Sequence, residues 1–379
     1  MSISPGLYLH VPFCSAICPY CDFAVTTGGE KRRERFTRSL IREIARDHGP
    51  WKAFDTVYLG GGTPSGLGDE RLGRILEAVR EALTIGDGAT SAVVSIEANP
   101  EDVTEASARV WSRLGIDRLS LGVQSFDAAE LKFLGRRHDP VEARRAVEIG
   151  LGAGFVVSMD LIYGLPHQSP ESWQSNLEIA VDLEPHHVSC YQLTVERGTP
   201  FAKQSRQGDW AEPDDDSLAE FLYLTHEFLG AAGYPAYEVS NFARAPKTQC
   251  AHNRKYWEGA SYLGLGPSAH SFDGQSRWWN QRSEAVWQLE VEAGRSPEAG
   301  RERLSDRELA LERLMLGLRT PTGVDLGALG LDPSDLLAAN RELFERFTRE
   351  NLLRIDGDRL IPSLDGMARA DALARSIEF

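Results

Sequence analysis

Three cysteines stand close together near the start of the chain, as Cys14-x3-Cys18-x2-Cys21. Cysteine thiolates at such spacings hold iron–sulfur clusters in proteins. Three thiolates leave one iron of a 4Fe-4S cluster with open coordination positions, which the amine and carboxylate of an amino acid can chelate. S-adenosylmethionine (SAM) bound there has its sulfonium beside a cluster that can donate one electron. The spacing therefore predicts a 4Fe-4S cluster with an open iron, to which a ligand such as SAM can bind.

Two other interpretations of these cysteines are a structural zinc site and three buried thiols. Zinc prefers a complete tetrahedron of ligands, and no fourth Cys or His lies near Cys21 in the sequence. His10 precedes the cysteine loop, and we expect its side chain to point elsewhere. The spacing favours the cluster over both alternatives.

Short apolar runs alternate with amphipathic stretches from residue 7 to about residue 195, which is the pattern of parallel βα units. Six runs are predicted strands: Leu7 to Phe13, Thr56 to Gly60, Val93 to Ala98, Arg118 to Val123, Val156 to Ile162 and His187 to Leu193. Between them we predict helices at Lys31 to His48, Asp69 to Leu83, Thr104 to Leu114, Pro140 to Ala153 and Pro170 to Leu183.

Chemically unusual residues follow the predicted strand ends, and parallel barrels place their active sites at that face. A doubly wound open sheet would gather them at the same edge, but the first turn lacks the Gly-x-Gly-x-x-Gly pattern of dinucleotide-binding folds. We therefore predict an α/β fold, a partial TIM-type (β/α)6 barrel. It is incomplete because six βα units are visible in the sequence, whereas a full TIM barrel has eight.

The second half of the chain has a different pattern. The polar interval from Gly294 to Arg303 predicts a linker, and helices are predicted near Asp306 to Leu318 and Pro333 to Glu350. Two apolar runs around Asp356-Gly357 predict a β-hairpin. We expect three parts: the barrel at 1–240, a barrel extension and linker at 241–300, and a small helical, winged-helix-like domain at 301–379.

The charge balance restricts the partners. Against 41 Lys and Arg stand 56 Asp and Glu, a net charge of -15, which opposes binding to nucleic acid. The N-terminus shows no targeting segment and no run is long enough to span a membrane, so we expect a cytoplasmic protein with at most peripheral membrane contact. Five cysteines, three of them crowded, indicate a metal site rather than a disulfide framework.

The cysteine motif with Tyr20 before its third cysteine resembles that of the radical SAM superfamily. Within it, the chain resembles the family of oxygen-independent coproporphyrinogen III oxidases (HemN-like) and HemW-type haem chaperones. The segments that carry the resemblance are Tyr8 to Cys14, Pro19 to Phe23, Gly60 to Pro64, Gly122 to Phe126, Asp160 to Pro166 and His252 to Trp257. It implies a radical SAM barrel with a C-terminal HemN-type domain, a 4Fe-4S cluster on the three cysteines, and SAM.

The resemblance also implies a set of SAM contacts: Tyr8, Tyr20, Gly61, Gly62, Thr63, Glu97, Gln124, Arg136 and Asp160. Arg136 can fork onto a carboxylate, and Asp160 can accept hydrogen bonds from ribose hydroxyls. The glycines would allow a close approach of the backbone to the ligand, although a tight turn also explains them. Glu97 lies in an apolar strand and needs a partner, either a bound cation or a neighbouring Arg. The two tyrosines alternatively pack against the cysteine loop.

The chain departs from the oxidase pattern in two places. The oxidases carry a further cysteine two residues after the third, where this chain has Phe23, and an N-terminal extension, whereas thirteen residues precede Cys14 here. These departures favour the HemW-type proteins, which handle haem.

The segment His252-Asn253-Arg254-Lys255-Tyr256-Trp257 resembles the haem-binding motif of the HemW type. Neutral imidazole is a good axial ligand for haem iron, so His252 is the candidate ligand. By itself a His beside aromatic residues is more often structural. Cys250 is a possible second ligand but more often such a thiol is buried and inert. His186 and His187 lie at a strand start, on the wrong face for the site, and we interpret them as structural.

The leading hypothesis is a haem carrier that delivers haem to apo-proteins, among them respiratory enzymes, with cluster and SAM supporting homodimer formation or haem release. The alternative is a coproporphyrinogen III oxidase-like or other radical SAM enzyme that acts on a tetrapyrrole. A third hypothesis is an inactive scaffold that keeps the cluster for structure.

Overall fold

The structure is a computed structural model that describes residues 4–49, 51, 53–86 and 92–379. Most of the chain forms one large mixed sheet covered by helices on its outer side. A smaller C-terminal module has a hydrophobic core of its own.

Six strands form the parallel centre of the large sheet and pair in chain order. They are β1 (Gly6–Val11), β2 (Thr56–Gly61), β3 (Val93–Ala98), β4 (Arg118–Gln124), β5 (Val156–Tyr163) and β6 (His187–Gln192). Each lies within two residues of its predicted bounds. The connecting segments are helical, as βα units require.

In the described residues, eight α-helices connect these strands or follow the last of them. They are α1 (Glu30–Ile44), α2 (Asp69–Ala82), α3 (Glu105–Arg113), α4 (Ala128–Phe133), α5 (Pro140–Gly152), α6 (Pro170–Asp182), α7 (Pro200–Gln207) and α8 (Asp215–Ala231). Their starts are encoded locally. In α5, Asp139 and Glu142 form a capping box around Pro140 at the first helical position.

The strands alternate in character, and this alternation defines the interior of the barrel. In β4, Leu119, Leu121 and Val123 are fully buried against the helices. The residues between them, Arg118, Ser120, Gly122 and Gln124, face the inside and line a cavity. Because side chains of a strand point to opposite faces in turn, one strand supplies both the outer core and a polar interior.

Five further strands extend the sheet beyond the predicted six. They are β7 (Asn241–Ala243), β8 (Tyr262–Leu265), β9 (His270–Phe272), β10 (Ser276–Asn280) and β11 (Glu298–Arg303), and the sheet order is β11-β10-β9-β8-β1-β2-β3-β4-β5-β6-β7. β8 is a seventh parallel strand, next to β1. The edge strands β7 and β11 do not pair with each other in the described chain, so the barrel is partial.

The predicted linker is wrong for most of its length. Residues 298–303 form β11, which pairs antiparallel with β10 from Ser276 to Asn280. The strand is polar because it lies at the sheet edge, where most of its side chains face solvent. Polarity alone therefore did not distinguish an edge strand from a linker.

The extension also contains two helices, α9 (Ala251–Trp257) and α10 (Glu284–Glu292). The helix α9 carries the His252 motif and packs against β2. It is held there by Lys255, whose ammonium pairs with Asp55 at 2.7 Å and donates to the Ser4 carbonyl. This places α9 across the N-terminal end of the barrel strands, which we call the closed end.

The C-terminal module consists of five helices and a small antiparallel sheet. The helices are α11 (Asp306–Gly317), α12 (Pro333–Ala339), α13 (Arg341–Arg349), α14 (Leu364–Ala368) and α15 (Ala370–Ser376), and the strands are β12 (Val324–Asp325), β13 (Leu353–Asp356) and β14 (Arg359–Pro362). The predicted hairpin is β13–β14, with Gly357 at φ 59° in its turn. In the described residues, no helix has the length and apolar character needed to cross a membrane.

Candidate functional site

One cavity of about 610 Å³ occupies the interior of the barrel and opens beside the cysteine loop. We call this opening the mouth. All the residues proposed from sequence line the cavity: Tyr8, Cys14, Cys18, Tyr20, Cys21, Gly61, Gly62, Thr63, Glu97, Gln124, Arg136, Asp160 and His252. Residues from most of the chain therefore meet in one place.

The cysteine loop follows β1 and is held by backbone hydrogen bonds. Thr26 donates to the Pro12 carbonyl at 2.7 Å, and Cys14 donates to the Thr26 carbonyl at 2.9 Å, which closes the base of the loop. Cys21 donates to the Cys18 carbonyl at 3.1 Å within it. All three thiols are free and half-buried at the mouth. They are accessible to a metal centre yet fixed by the backbone.

Two side chains from other loops, Thr63 after β2 and Arg136 between α4 and α5, hydrogen-bond these sulfurs. The Thr63 hydroxyl lies 3.6 Å from the Sγ of Cys14, and the Arg136 guanidinium lies 3.4 Å from the Sγ of Cys18. Burial raises the pKa of Cys14 to about 11, so this thiol must lose its proton when it binds a metal. Donors at the sulfurs favour the thiolate that such binding requires.

The geometry does not suit a single metal ion. In the described residues, no group of three or more His, Cys, Asp and Glu side chains is arranged to hold one ion. Cluster thiolates each bind a different iron and stand further apart than the four ligands of one zinc. His10 is not a spare ligand, because its Nε2 lies 3.0 Å from the Ala24 carbonyl and its Nδ1 lies 3.2 Å from the Tyr8 hydroxyl. Since a carbonyl only accepts, Nε2 carries the proton.

The glycines after β2 are required by the protein itself. A Cβ on Gly62 would lie 2.8 to 2.9 Å from backbone atoms of residues 11–13, and one on Gly61 would lie 2.5 Å from the His10 ring. Gly61 also has φ 110°, which residues with a Cβ rarely adopt. The glycines thus let the β2 loop pack directly onto the end of β1, which places Thr63 beside Cys14.

Two carboxylates lie in the middle of the cavity without a basic partner in contact. Glu97 accepts hydrogen bonds from the Tyr58 hydroxyl and the Gly61 amide, both at 3.0 Å. Asp160 accepts from the Ser120 hydroxyl at 3.1 Å. Burial, and then the charge of Asp160, raises the pKa of Glu97 to about 7. The alternative of a salt bridge between Glu97 and a neighbouring Arg is not found in the described chain.

Arg136 links the cysteine loop to the ends of β3 and β4. Its Nη2 donates to Asn99 at 2.6 Å and to the Gly122 carbonyl at 2.9 Å. Its Nε is buried and has no hydrogen-bond partner in the described chain. Buried donors without a partner are uncommon and mark positions where a ligand or water completes the bonding.

Gln124, at the end of β4, has φ 68°, and the pairing with β5 is irregular there. A left-handed backbone at a residue other than Gly, Asn or Asp is uncommon and persists where surrounding structure enforces it. Such strain occurs frequently at binding sites.

The two tyrosines are packed as well as exposed to the cavity. The Tyr8 ring stacks on Tyr58 with a centroid distance of 6.2 Å. Tyr20 lies against Phe201 at 6.1 Å. Both interpretations of these residues therefore remain compatible with their positions.

His252 lies at the other end of the cavity, at the closed end. Its ring is 3% exposed, with Nδ1 at 2.9 Å from the Thr56 hydroxyl and Nε2 at 3.0 Å from the Tyr256 hydroxyl. Burial, and then the nearby Lys255, lowers its pKa to about 3, so the ring is neutral. A neutral ring suits iron, but both nitrogens are engaged in this conformation.

Sequence reasoning missed several residues of the cavity. His187 was expected on the wrong face, but its ring lines the closed end of this cavity. Arg118 is predicted only as the start of a strand and Asn99 has no predicted role, yet both line the cavity. The signal was available in polar side chains that share one face of their strands and so indicate a polar interior: Arg118, Ser120 and Gln124 in β4, and Ser158 and Asp160 in β5. Barrel interiors are usually filled by branched apolar side chains.

Comparisons with known proteins identify the parts of the chain. Residues 8–180 match the radical SAM superfamily, and residues 304–369 match the HemN C-terminal domain. The heme chaperone HemW of Mycobacterium tuberculosis (strain ATCC 25618 / H37Rv) is 40% identical, over 98% of this chain and 94% of that protein. The HemW of Escherichia coli (strain K12) is 39% identical, over 70% and 69% of the two chains.

A mouse protein, radical S-adenosyl methionine domain-containing protein 1, mitochondrial, is 34% identical over 98% of this chain and 87% of its own length. Among solved structures, coproporphyrinogen III oxidase (HemN) from Escherichia coli superposes with a TM-score of 0.84 at 22% identity, covering 99% and 90% of the two chains. That likeness confirms the predicted fold, a partial barrel with a C-terminal HemN-type domain. The boundaries of the three predicted parts stay a prediction.

Proposed function

The chain belongs to the family of the heme chaperone HemW, and from that premise we propose that it binds haem and transfers it to acceptor proteins. The observation that carries the proposal is the near-complete alignment with a HemW, which includes the barrel, α9 and the C-terminal module. The interior cavity provides the enclosed volume that a small-molecule carrier needs.

The cofactors of this family are a 4Fe-4S cluster and SAM, and we propose Cys14, Cys18 and Cys21 as the cluster ligands. A cluster there supplies one-electron chemistry and an open iron for the SAM amine and carboxylate. The arrangement of free, half-buried thiols at the mouth supports this assignment. The hydrogen bond from Thr63 favours the thiolate form of Cys14, and Arg136 donates to the sulfur of Cys18.

For SAM, we propose that cavity residues near the mouth contact different parts of the ligand according to their charge. Glu97 offers a carboxylate without a basic partner to the positive amine or sulfonium. The unpartnered Nε of Arg136 is available to the SAM carboxylate. Asp160 and the strained Gln124 offer hydrogen bonds to the nucleoside. The remaining proposed contacts are Tyr8, Tyr20, Gly61, Gly62 and Thr63.

For haem, we propose His252 as the axial ligand. Its neutral imidazole is suited to iron, and the ring of Tyr256 lines the cavity beside it, whereas Trp257 is not among the residues that line the cavity. In the described conformation Thr56 and Tyr256 hold both ring nitrogens. Ligation therefore requires one of these hydroxyl groups to give up its bond and the closed end to open.

The test is an anaerobic reconstitution of the full chain, followed by titration with hemin while the Soret band is recorded. We expect saturable binding, and transfer to apo-myoglobin at a rate above that of hemin loss on dilution. A chain that binds no hemin contradicts the proposal.

The same preparation tests the alternative. Incubation with coproporphyrinogen III, SAM and a low-potential reductant is expected to give no porphyrinogen product, because the additional cysteine of the oxidases is Phe23 here. Formation of the decarboxylated product would favour the oxidase.

We further propose respiratory enzymes as acceptors and a homodimer as the loaded form. Light scattering of the chain with and without cluster, SAM and hemin tests the second point. A mass that stays monomeric under all conditions rejects it.

A further inference from the structure

The closed end of the cavity carries a positive charge that the SAM and cluster assignments do not use. Arg118, the first residue of β4, lines the cavity two residues below Ser120 and is 4% exposed. Its Nη1 donates to the Thr248 carbonyl at 2.7 Å. Its Nη2 is buried and has no hydrogen-bond partner in the part of the chain that the structure describes. Buried guanidinium groups are normally paired with an acceptor. The free Nη2 therefore marks a position where a ligand can supply one.

The His187 ring near Arg118 does not supply a countercharge. His187 lies within a hydrogen-bonded row, with Nδ1 at 2.7 Å from the Ser158 hydroxyl and Nε2 at 2.9 Å from the Tyr237 hydroxyl. Burial, and then the charge of Arg118, holds the pKa of His187 well below its usual value, so its ring is neutral. A neutral imidazole offers the guanidinium no countercharge, and the Asp160 carboxylate, whose pKa burial raises and the charge of Arg118 acts to lower, lies beyond ion-pair distance.

The carboxylates of the cavity lie nearer the mouth and accept hydrogen bonds from other groups. Asp160 is two residues above Ser158 on β5 and accepts from Ser120. Glu97 is held by Tyr58 and Gly61. In the described chain, Arg118 has no carboxylate within ion-pair distance, in contrast to Arg74 and Arg277, which both have one. The cavity is thus negative in its middle and positive at its closed end.

We propose that the closed end of the cavity is a binding site for a carboxylate group, which Nη2 of Arg118 receives beside the Ser158 hydroxyl. A guanidinium matches the planar carboxylate in shape and in hydrogen-bond geometry. A phosphate is disfavoured because Glu97 and Asp160 would repel its second charge. The carboxylate belongs either to a free organic acid or to the propionate arm of a tetrapyrrole, and the second source rests on the proposed function.

The first experiment uses propionate as the probe and its uncharged analogue propionamide as the control, with the full chain. We expect propionate to raise the melting temperature of the parent in a saturable way and propionamide to have no effect. Arg118→Gln should weaken propionate binding by about tenfold or more, the usual effect of losing one charge-assisted hydrogen bond. Equal effects of the two probes, or an Arg118→Gln chain that binds propionate as the parent does, would overturn the proposal.

A matched control is available in Arg33. This residue also donates through Nη1 to a carbonyl, that of Gly66 at 2.7 Å, and also has a buried nitrogen without a partner in the described chain, but it does not line the cavity. Arg33→Gln should keep the parent affinity for propionate. Arg118→Lys keeps the positive charge but loses the planar guanidinium with its several N–H donors, so the affinity for propionate should fall severalfold. If Arg118→Gln does not fold, an Arg118→Lys chain with parent affinity overturns the proposal.

The second experiment distinguishes the two sources by comparing hemin with hemin dimethyl ester, which lacks both carboxylates. If the site takes a propionate arm, the parent should bind the ester about tenfold more weakly, and Arg118→Gln should bind both equally. Equal binding of the two by the parent, with propionate still dependent on Arg118, assigns the site to a free acid. If the chain binds hemin but neither hemin nor propionate binding depends on Arg118, this site is rejected and the proposed function is retained. Absence of hemin binding rejects that function, while the propionate experiment still decides this one.

Discussion

Both ends of the barrel contain side chains that can bind a metal, but the two ends differ in whether the metal-binding atoms are free or hydrogen-bonded. At the mouth, the sulfurs of Cys14, Cys18 and Cys21 are half-buried and free, and those of Cys14 and Cys18 accept hydrogen bonds from side chains of other loops. At the closed end, the rings of His187 and His252 have both nitrogens engaged by hydroxyl groups of neighbouring elements. Residues able to bind a metal are therefore present at both ends. In the described conformation the sulfurs at the mouth are available, whereas a ring nitrogen at the closed end must first release a hydrogen bond.

The difference shows what separates a binding site from a structural network of the same composition. A structural network satisfies its own polar atoms, since an unpaired buried group costs free energy. A binding site leaves selected atoms unsatisfied until its ligand arrives. By this criterion the unpartnered nitrogens of Arg136 and Arg118 are the most informative atoms of the cavity.

The largest expected effect comes from the mouth. Replacing any one of Cys14, Cys18 or Cys21 with Ala should remove nearly all the cluster, because two thiolates leave two irons open to loss. Iron and sulfide analysis after anaerobic reconstitution, with the visible absorbance of the cluster, measures this.

The chain offers a matched control in its two other cysteines. Cys190 and Cys250 are buried in the barrel wall and outside the loop, so Cys190→Ala and Cys250→Ala should keep the parent iron content. Loss of iron in these variants, or retention in the loop variants, would remove the distinction between the two ends.

The second prediction tests whether the closed end is a packed structure. A Cβ on Gly6 would lie 2.9 Å from the His252 ring and 3.0 Å from the Lys255 side chain. Gly6→Ala should therefore push α9 away from β1 and lower the free energy of unfolding by about 1 to 3 kcal/mol. Chemical denaturation measures the change.

Gly152→Ala is the control for this substitution, because a Cβ at the end of α5 meets nothing within 4 Å. It should be neutral or stabilise the chain by about 0.5 kcal/mol, the helical preference for Ala. If Gly6→Ala behaves in the same way, α9 is loosely held and the closed end is not closed.

The contrast between the ends was only half predictable from sequence. The strands β1 to β6 and the loop after β1 could be located because their apolar runs and their motif are local in the sequence. The pairing of β8 with β1 joins segments about 250 residues apart, and no local pattern indicates such a partner. The closure of the barrel by α9 depends on that pairing, so the position of His252 could not be predicted.

The same limit applies to the state of individual side chains. The sequence indicated that Glu97 needs a partner, but only the structure shows that Tyr58 and Gly61 supply hydrogen bonds without a compensating charge. The sequence offers either ligand approach or a tight turn for Gly61 and Gly62, and only the structure shows that packing against β1 also requires their small size. Hydrogen-bond satisfaction is a property of the assembled fold, and sequence patterns do not report it.

The third prediction concerns Glu97, between the two ends. Its pKa is raised to about 7, and the ionised form is the one that pairs with a cation. SAM affinity should therefore rise by about tenfold from pH 6 to pH 8, as the carboxyl loses its proton. Isothermal titration of the reconstituted chain at several pH values measures the slope.

Glu97→Gln removes this titration and keeps the shape of the side chain. Its SAM affinity should be close to that of the protonated parent, and any remaining slope belongs to SAM or to other groups. Parallel pH profiles of parent and variant would exclude Glu97 as the partner of the SAM charge.

The smallest expected effect distinguishes the two roles of His252 at the closed end. Tyr256→Phe removes the hydroxyl that holds Nε2 and keeps the aromatic ring in place. The free energy of unfolding should fall by about 1 kcal/mol, the usual net contribution of one hydrogen bond. If His252 ligates haem iron, the released nitrogen should also raise hemin affinity severalfold, because binding no longer competes with that bond. Loss of stability with unchanged hemin affinity would make His252 a structural residue like His187, and the ligand would then have to be sought at the mouth.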